Sequence, residues 1–325
     1  MVARIIFMGT PEFAVPPLTG LIRSASSKTW QVVAVVTQPD RPKGRGKQLA
    51  PPPVKIVANQ AGIDVWQPAS LRAEEVVADL AALEPDLIVV AAFGQILRKD
   101  VLAIPRHGSI NVHASLLPRW RGASPVTAAI RAGDTETGLT IMLMDEGMDT
   151  GPIIARHAVA IAGDQTGGSL TKLLAERGAE LLVEILPAWL AGQIDPQAQD
   201  DRLATTTHLL KKQDGKIDWT QPAQEIERQV RAFSPWPGTF SHGPRGQIKI
   251  LTVEVADEAS RPASGLSGPG TVFQHHKQIL VVTGAGTIRL LAVQPAGKKV
   301  MPAEAMINGQ PELLGAQLGI GNDDA

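Results

Sequence analysis

The chain has no cysteine in its 325 residues, and this absence excludes disulfides, thiolate nucleophiles and zinc sites built on cysteine. Its formal net charge is −1, so no global field would attract a polyanion, and any nucleic-acid site must be a local patch. No segment reaches the ~18 consecutive apolar residues that a membrane span needs. The N-terminal apolar run is also too short for a signal peptide. These absences predict a soluble, cytoplasmic protein.

Several motifs with known chemistry are missing as well. No Gly-x-Gly-x-x-Gly follows the first predicted strand, so a nicotinamide cofactor is unsupported, and there is no Walker loop or Gly-x-Ser-x-Gly motif. His113 could be grouped with Asp145, Glu146 and Asp149 as metal ligands. One histidine without a paired histidine is a poor zinc pattern, so the sequence predicts no metal.

Short apolar runs alternate with helical patterns in the first part of the chain. The predicted strands are residues 5–8, 32–36, 65–66, 87–92, 110–113 and 139–144, and the predicted helices are residues 54–61, 74–83 and 169–190. This alternation predicts the α/β class, with a Rossmann-like, doubly wound, mostly parallel sheet. Ligands of such sheets bind at the carboxyl ends of the strands, where we expect residues 9–10, 93–94, 111–113 and the segment around Asp149 to lie.

After a predicted helix at residues 223–232, the pattern changes. Short β runs alternate with glycine-rich turns at residues 248–255, 270–273, 279–283 and 287–293. This pattern predicts a smaller, OB-like β-barrel. A chain of this length suggests two domains of ~150 residues each. We predict a catalytic domain over residues 1–192, a linker over 193–211 and a C-terminal domain over 212–325.

Three local features carry their own predictions. Thr10 is expected to cap a helix that has Pro11 in its first turn. Residues 37–53 form a long loop without a regular pattern, and such loops are commonly functional or disordered. Trp236 is expected to pack in the core where the two domains join.

Asn111, His113 and Asp149 are the candidate catalytic residues. Asn111 and His113 are two apart on a predicted strand, so their side chains share one side. Asp149 lies in a glycine-rich loop after the strand-like residues 139–144. An amide can donate to an oxyanion, while an imidazole and a carboxylate can move protons, so the set suits acyl transfer. Spacing alone leaves open that Asn111 and Asp149 are turn residues and that His113 is structural.

Residues 38–47, here called the basic arm, combine cations with glycines. The cations are Arg41, Lys43, Arg45 and Lys47. Such an arm suits the binding of phosphates, although a solvated loop would look the same. A second small cation cluster is Lys298 and Lys299.

Two stretches of the chain resemble the folate-dependent formyltransferases. They are Asn111-Val112-His113-Ala114-Ser115-Leu116-Leu117-Pro118 and Asp145-Glu146-Gly147-Met148-Asp149-Thr150-Gly151. The basic arm and residues 7–14, 118–123 and 294–299 are similar to the branch of that family that acts on a charged tRNA. The resemblance covers nearly the whole chain in order.

The resemblance implies a role for each candidate residue. Asn111, His113 and Asp149 would be catalytic, and the folate would contact Phe93, Gly94, Ser115, Leu116, Leu117 and Pro118. It further implies 10-formyltetrahydrofolate as the formyl donor, no metal, and an initiator methionyl-tRNA as the acceptor. The tRNA would be bound by a monomeric protein through Arg41, Lys43, Arg45, Lys47, Lys298 and Lys299, with the C-terminal barrel holding the tRNA backbone.

Two other interpretations stay open from the sequence. A related enzyme that formylates a small amine would share the catalytic set but would not need the basic arm. A nucleic-acid-binding module with an inactive enzyme domain is the third possibility, and the complete Asn/His/Asp set argues against it.

Overall fold

The computed structural model describes residues 2–25, 29–43, 48–257 and 268–319. Packing divides the chain into two compact units. The first unit is Met1–Pro125, Glu136–Ala160 and Thr171–His208, and the second is Val126–Thr135, Ile161–Leu170 and Leu209–Ala325. No helix in the described part of the chain is both long and apolar enough to cross a membrane.

Helices and strands alternate along most of the chain before residue 209. In chain order they are β1 (Ala3–Gly9), α1 (Val15–Ser24), β2 (Trp30–Val36), β3 (Arg41–Lys43), β4 (Gln48–Ala50), α2 (Pro53–Gln60), β5 (Val65–Trp66), α3 (Glu74–Ala82), β6 (Leu87–Ala91), α4 (Lys99–Leu102), β7 (Ser109–His113), β8 (Arg121–Gly122), α5 (Pro125–Ala132), β9 (Glu136–Leu143), β10 (Ile153–Ala160), α6 (Gly167–Leu190) and β11 (Thr206–Thr207).

The first unit is built on a seven-stranded sheet in the order β10-β9-β7-β6-β1-β2-β5. Within this order, each pair of neighbours from β7 to β5 is parallel. Strand β9 pairs antiparallel with β7 on one side and with β10 on the other. All five residues of β6 are buried, as is typical of a parallel strand covered on both faces. Each fully buried Val, Leu or Ile side chain contributes about 1.5–3 kcal/mol. The predicted doubly wound, mostly parallel α/β sheet is therefore confirmed.

The second unit has its own antiparallel sheet. Its elements after residue 208 are α7 (Ala223–Ala232), β12 (Thr239–Gly243), β13 (Gly246–Val255), β14 (Val272–His275), β15 (Gln278–Val282), β16 (Thr287–Pro295), β17 (Met301–Pro302) and α8 (Ala303–Gly309). The strand order is β12-β13-β16-β15-β14, with β17 also paired to β16. Among the described residues β12 and β14 do not pair, so the sheet is open there, and OB-like barrels are themselves only partly closed. Ile226 and Val230, one helical turn apart on α7, lie in its core with Trp219.

Three local predictions were wrong. Thr10 does not cap a helix, because its hydroxyl donates to the Phe93 carbonyl at 2.8 Å, and α1 begins only at Val15 after a short 3-10 turn. Trp236 is 57% exposed rather than buried in a core. The segment around Asp149 was expected at the carboxyl ends of the parallel strands, but it starts beside the beginning of β7.

The loop that carries Asp149 leaves the sheet at an unexpected place. Because β9 is antiparallel to β7, Leu143 at its carboxyl end is paired with Ile110, near the start of β7. The loop of residues 144–152, here called the Asp149 loop, therefore does not start at the carboxyl ends of the parallel strands, as the alternating pattern predicted. Its Asp149 side chain nevertheless reaches the side chains of β7.

Candidate active site

Strand β7 carries two polar side chains near its carboxyl end. Asn111 and His113 are two residues apart and so point to the same side of the sheet. The strand lies between β6 and β9, and Asn111 is paired with Val90 on one side and Met142 on the other. Asn111 is half-buried and His113 is 6% exposed. A strand inside the sheet therefore holds an amide and an imidazole on a rigid frame.

Asp149 completes this group. Its Oδ1 accepts a hydrogen bond from Asn111 Nδ2 at 3.4 Å, and its Oδ2 lies 3.6 Å from His113 Nδ1. Oδ2 also accepts a hydrogen bond from the backbone N–H of Gly122 at 2.7 Å. The structure therefore brings together the amide, the imidazole and the carboxylate that the sequence singled out.

The two nitrogens of His113 face different partners. Nε2 lies 3.1 Å from the backbone carbonyl oxygen of Trp120. A carbonyl can only accept a hydrogen bond, so Nε2 carries a proton and donates it to Trp120. Nδ1 then faces Asp149, and it is the only ring nitrogen left to meet a substrate. To donate from Nδ1 as well, the ring must carry a proton on both nitrogens.

The backbone of the Asp149 loop has an uncommon conformation. Asp149 has a φ of +57°, in the left-handed region that residues other than glycine seldom adopt. Such conformations cost about 1–3 kcal/mol, and they cluster at functional sites where the surroundings enforce them. Two residues on, Gly151 passes so close to Leu143 that a Cβ there would collide with the Leu143 carbonyl oxygen. The loop is therefore tightly fitted against the end of β9.

Replacing Gly151 with alanine tests this fit. We expect the added methyl group to displace the loop and to lower the free energy of unfolding by about 1–3 kcal/mol, the usual cost of overpacking. Gly163→Ala is the matched control, since a Cβ at Gly163 meets open space. Thermal unfolding of both variants measures the difference. Equal unfolding midpoints for the two variants would contradict a tightly fitted Asp149 loop.

Comparison with known proteins identifies the family. The formyl transferase family matches residues 3–186, and the formyl transferase C-terminal domain matches residues 209–311. The methionyl-tRNA formyltransferase of Marinobacter nauticus is 46% identical over 312 residues, which are 96% of this chain and 97% of the relative. That of a Roseiflexus species is 48% identical over 319 residues, covering 98% of this chain and 96% of the relative. The chain belongs to the methionyl-tRNA formyltransferase family.

Solved structures show the same fold in more distant proteins. One is an N-formyltransferase from Helicobacter canadensis, solved with folinic acid and dTDP-3-aminofucose. It has a TM-score of 0.63 and 18% identity, and the match covers 89% of this chain and 99% of that chain. At this identity the likeness shows the fold alone. Evidence on the acceptor of the formyl group comes instead from the methionyl-tRNA formyltransferase relatives and from this chain's own residues.

The residues expected to contact folate fall into two groups. Phe93 is buried in the core with Met8 and Leu97, while Gly94 is exposed. In the second group Ser115 and Leu117 are fully buried, and Leu116 and Pro118 are partly exposed. Ser115 donates to the Arg119 carbonyl at 2.6 Å, so its hydroxyl shapes the loop after β7. Of the six residues expected to contact folate, Gly94, Leu116 and Pro118 are thus the accessible ones.

The base of the basic arm is held by a polar cluster. Lys55 Nζ pairs with Asp40 at 2.9 Å and donates to Gln67 at 2.6 Å, and Gln67 donates to Asp40 at 2.7 Å. The hydrogen bond from Gln67 and the Lys55 ammonium hold the pKa of Asp40 below its ordinary value. Asp40 therefore stays ionised at neutral pH and keeps Lys55 paired.

The cations of the basic arm are described only in part. Arg41 is exposed, with its guanidinium 3.2 Å from Gln38 Oε1, and Lys43 lies in β3, which pairs with β4. The segment predicted to lack regular structure thus contains a short hairpin. Arg45 and Lys47 lie outside the described residues. In the second unit, Lys298 and Lys299 are exposed after β16.

Sequence patterns missed the contribution of residues 193–208. This segment is the larger part of the predicted linker over residues 193–211, and it belongs to the first unit. Thr206 pairs with Arg121 across β11 and β8, and the backbone of Gln197 pairs with Ile153. Gln199 hydrogen-bonds to the Asp149 loop itself. No hydrophobic periodicity marks these residues, because they act through polar and backbone groups. The predicted boundaries at residues 192 and 212 stay a prediction.

Proposed function

We propose that this chain transfers the formyl group of 10-formyltetrahydrofolate to the α-amino group of an initiator methionyl-tRNA. The observation that carries the proposal is the meeting of Asn111, His113 and Asp149 on one side of β7. Two methionyl-tRNA formyltransferases that are 46% and 48% identical to this chain over nearly its full length also support the proposal.

The three side chains match the steps of such a transfer. The amine attacks the formyl carbon, a new C–N bond forms, and the carbonyl oxygen becomes an oxyanion. Asn111 Nδ2 and protonated His113 Nδ1 donate to that oxyanion, and one such donor is typically worth about 3–4 kcal/mol. Asp149 takes the proton that the amine loses. The carbonyl then re-forms as the bond to folate N10 breaks, and Asp149 passes to N10 the proton that it took from the amine. Only a formyl group and protons move, so no step calls for a metal.

The folate is proposed to lie between two loops of the first unit. Phe93 and Gly94 would form one wall, with Thr10 holding the Phe93 carbonyl in place. The other wall would be residues 115–118, where buried Ser115 and Leu117 fix the loop and Leu116 and Pro118 offer apolar surface. An apolar pocket with few polar groups is the usual form of a cofactor site.

The tRNA is proposed to be held by cations at two places. The basic arm offers Arg41, Lys43, Arg45 and Lys47, and the second unit offers Lys298 and Lys299. Because the chain as a whole is nearly neutral, such clusters are where a polyanion would be attracted. We further propose that residues 1–192 carry the chemistry, that residues 212–325 serve tRNA binding, and that the protein acts as a cytoplasmic monomer.

Replacing Arg45 with alanine tests the role of the basic arm. A lost charge-assisted phosphate contact should weaken productive use of charged tRNA by about 1–3 kcal/mol. It should also lessen the salt dependence of binding, by roughly 0.7–0.9 in the log–log slope. Formylation rates across a salt series measure both effects. Arg72→Ala removes an exposed cation outside the arm and is the control. If Arg45→Ala changes neither rate nor slope, the arm is a solvated loop.

The transfer itself is tested by following the formyl carbon. The protein is incubated with 10-formyltetrahydrofolate carrying a labelled formyl group and with charged initiator methionyl-tRNA. We expect label on the methionyl α-amino group and release of one tetrahydrofolate for each formyl group transferred. Release of tetrahydrofolate with free formate, and no label on the tRNA, would contradict the proposed function.

A further inference from the structure

The side chain of Gln199 binds the backbone of the Asp149 loop. Its Nε2 donates to the Asp149 carbonyl at 2.8 Å and to the Gly151 carbonyl at 2.7 Å. A primary amide has two N–H groups, so both of them are used. The two carbonyls lie on either side of Thr150, and one amide therefore fixes the turn of the backbone between them.

Arg121 sets the orientation of this amide. Its Nε and Nη2 donate to Gln199 Oε1 at 3.1 and 2.8 Å. A guanidinium can only donate, so the amide oxygen must face Arg121 and both amide hydrogens must face the loop. The Arg121 side chain is 8% exposed, and its other partner, the carboxylate of Asp201, is 81% exposed. The Arg121 side chain is therefore shielded from water where it contacts Gln199. The Arg121–Asp201 ion pair is only weakly stabilising, because the Asp201 carboxylate lies in solvent.

The same short segment also supports the side chains of the candidate active site. Gly122, next to Arg121, donates its N–H to Asp149 Oδ2, and the Trp120 carbonyl accepts from His113 Nε2. The Asp149 backbone has a φ of +57°, which costs free energy in a residue other than glycine, so the contacts around it help to hold that conformation. Gln199 holds the backbone of Asp149 while Gly122 holds its carboxylate.

We propose that Gln199, oriented by Arg121, is the positioning residue that keeps the Asp149 carboxylate between Asn111 and His113. This inference rests on the proposed function, in which Asp149 accepts the proton of the attacking amine. Gln199 touches neither reacting group itself. Without its amide the Asp149 loop loses two hydrogen bonds, one at the Asp149 carbonyl and one at the Gly151 carbonyl. The Asp149 backbone then relaxes toward ordinary φ values, and the carboxylate moves away from its partners.

Two variants separate positioning from packing. Gln199→Glu keeps the shape and the contact to Arg121 but removes both N–H donors, and Gln199→Leu removes all polar contacts. We expect each to lower kcat on the order of 10- to 100-fold, the effect of displacing a reacting group by about 1 Å, with KM for either substrate within about threefold of wild type. Gln197→Leu is the matched control, since the hydrogen bonds of Gln197 to Ile153 are made by its backbone. Wild-type kcat in Gln199→Glu would overturn the proposal.

A double-mutant cycle with Asp149→Ala tests whether Gln199 acts through Asp149. Single-turnover rates are measured for the two single variants and for Asp149→Ala combined with Gln199→Leu. We expect the Gln199 change to have no further effect once the carboxylate is gone. An equal loss in both backgrounds would overturn the proposal. If Asp149→Ala lowers the rate while Gln199→Leu keeps the wild-type rate, only this inference fails. If Asp149→Ala is active, the proposed role of Asp149 fails as well.

Discussion

Replacing His113 with alanine is expected to lower kcat by about 100-fold or more, while the affinity for tRNA changes little. The imidazole is 6% exposed and lies inside the sheet, with Nε2 on the Trp120 carbonyl and Nδ1 toward Asp149. In the proposed mechanism its removal takes away a donor to the developing oxyanion, and the loss of such a donor typically costs 10²–10³ in kcat. Asn111→Ala removes the other donor, and we expect a loss of similar size.

The control for this prediction is His157→Ala. His157 is exposed on the edge strand β10, away from the catalytic group, and its removal should leave kcat unchanged. Pre-steady-state formylation and tRNA binding are measured for the three variants and for wild type. More than half of the wild-type turnover in His113→Ala or Asn111→Ala would remove that residue from the mechanism.

The second large effect is expected from Asp149→Asn. An asparagine keeps the size of the side chain, and its amide oxygen can still accept from the Gly122 N–H, so the loop should keep its shape. It cannot take a proton from the attacking amine. Loss of a positioned base typically costs 10²–10⁴ in rate, so we expect a kcat decrease of at least about 100-fold with folate binding retained.

Asp145→Asn is the matched control in the same loop. Asp145 Oδ1 accepts from the Gly147 N–H and the Thr150 hydroxyl, and an asparagine oxygen can accept both bonds. We expect wild-type turnover in this variant. The pH dependence of kcat for Asp149→Asn gives the decisive comparison. A pH profile that matches wild type in height and shape would show that Asp149 is structural.

The sheet could be predicted from the sequence because burial leaves a strong local signal. Strands β1, β2, β6 and β7 are short apolar runs, and buried parallel strands have that pattern. The predicted ends of these strands differ from the observed ends by at most two residues. Strand β10 was missed because it is an edge strand with several exposed residues, and its apolar alternation is weak.

The antiparallel direction of β9 could not be read from its residues. Its core-facing pattern is the same for either direction, and direction depends on the connection through α5 rather than on the strand itself. The direction nevertheless decides where the Asp149 loop begins. The meeting of Asp149 with Asn111 and His113 was inferred from chemistry and resemblance, and only the structure gives the path by which the loop reaches them.

Gln199 and Trp236 show a second limit. The contacts of Gln199 are hydrogen bonds between segments far apart in the chain, to Arg121 and to the Asp149 loop, and no local pattern encodes them. Trp236 was assigned to a core because large aromatic residues usually lie there, but its position among prolines leaves it exposed. Local sequence patterns predict the buried residues of a strand better than they predict the contacts or the exposure of residues in loops.

A competition between acceptors tests the central claim most directly. The protein is given 10-formyltetrahydrofolate with charged initiator methionyl-tRNA, an aminosugar nucleotide and glycinamide ribonucleotide, and kcat/KM is measured for each acceptor. We expect kcat/KM for the tRNA to exceed that for either small amine by roughly 100-fold or more, because a tRNA offers many more phosphates to the cationic clusters than either small amine does. Equal or preferential formylation of a small amine would contradict the account.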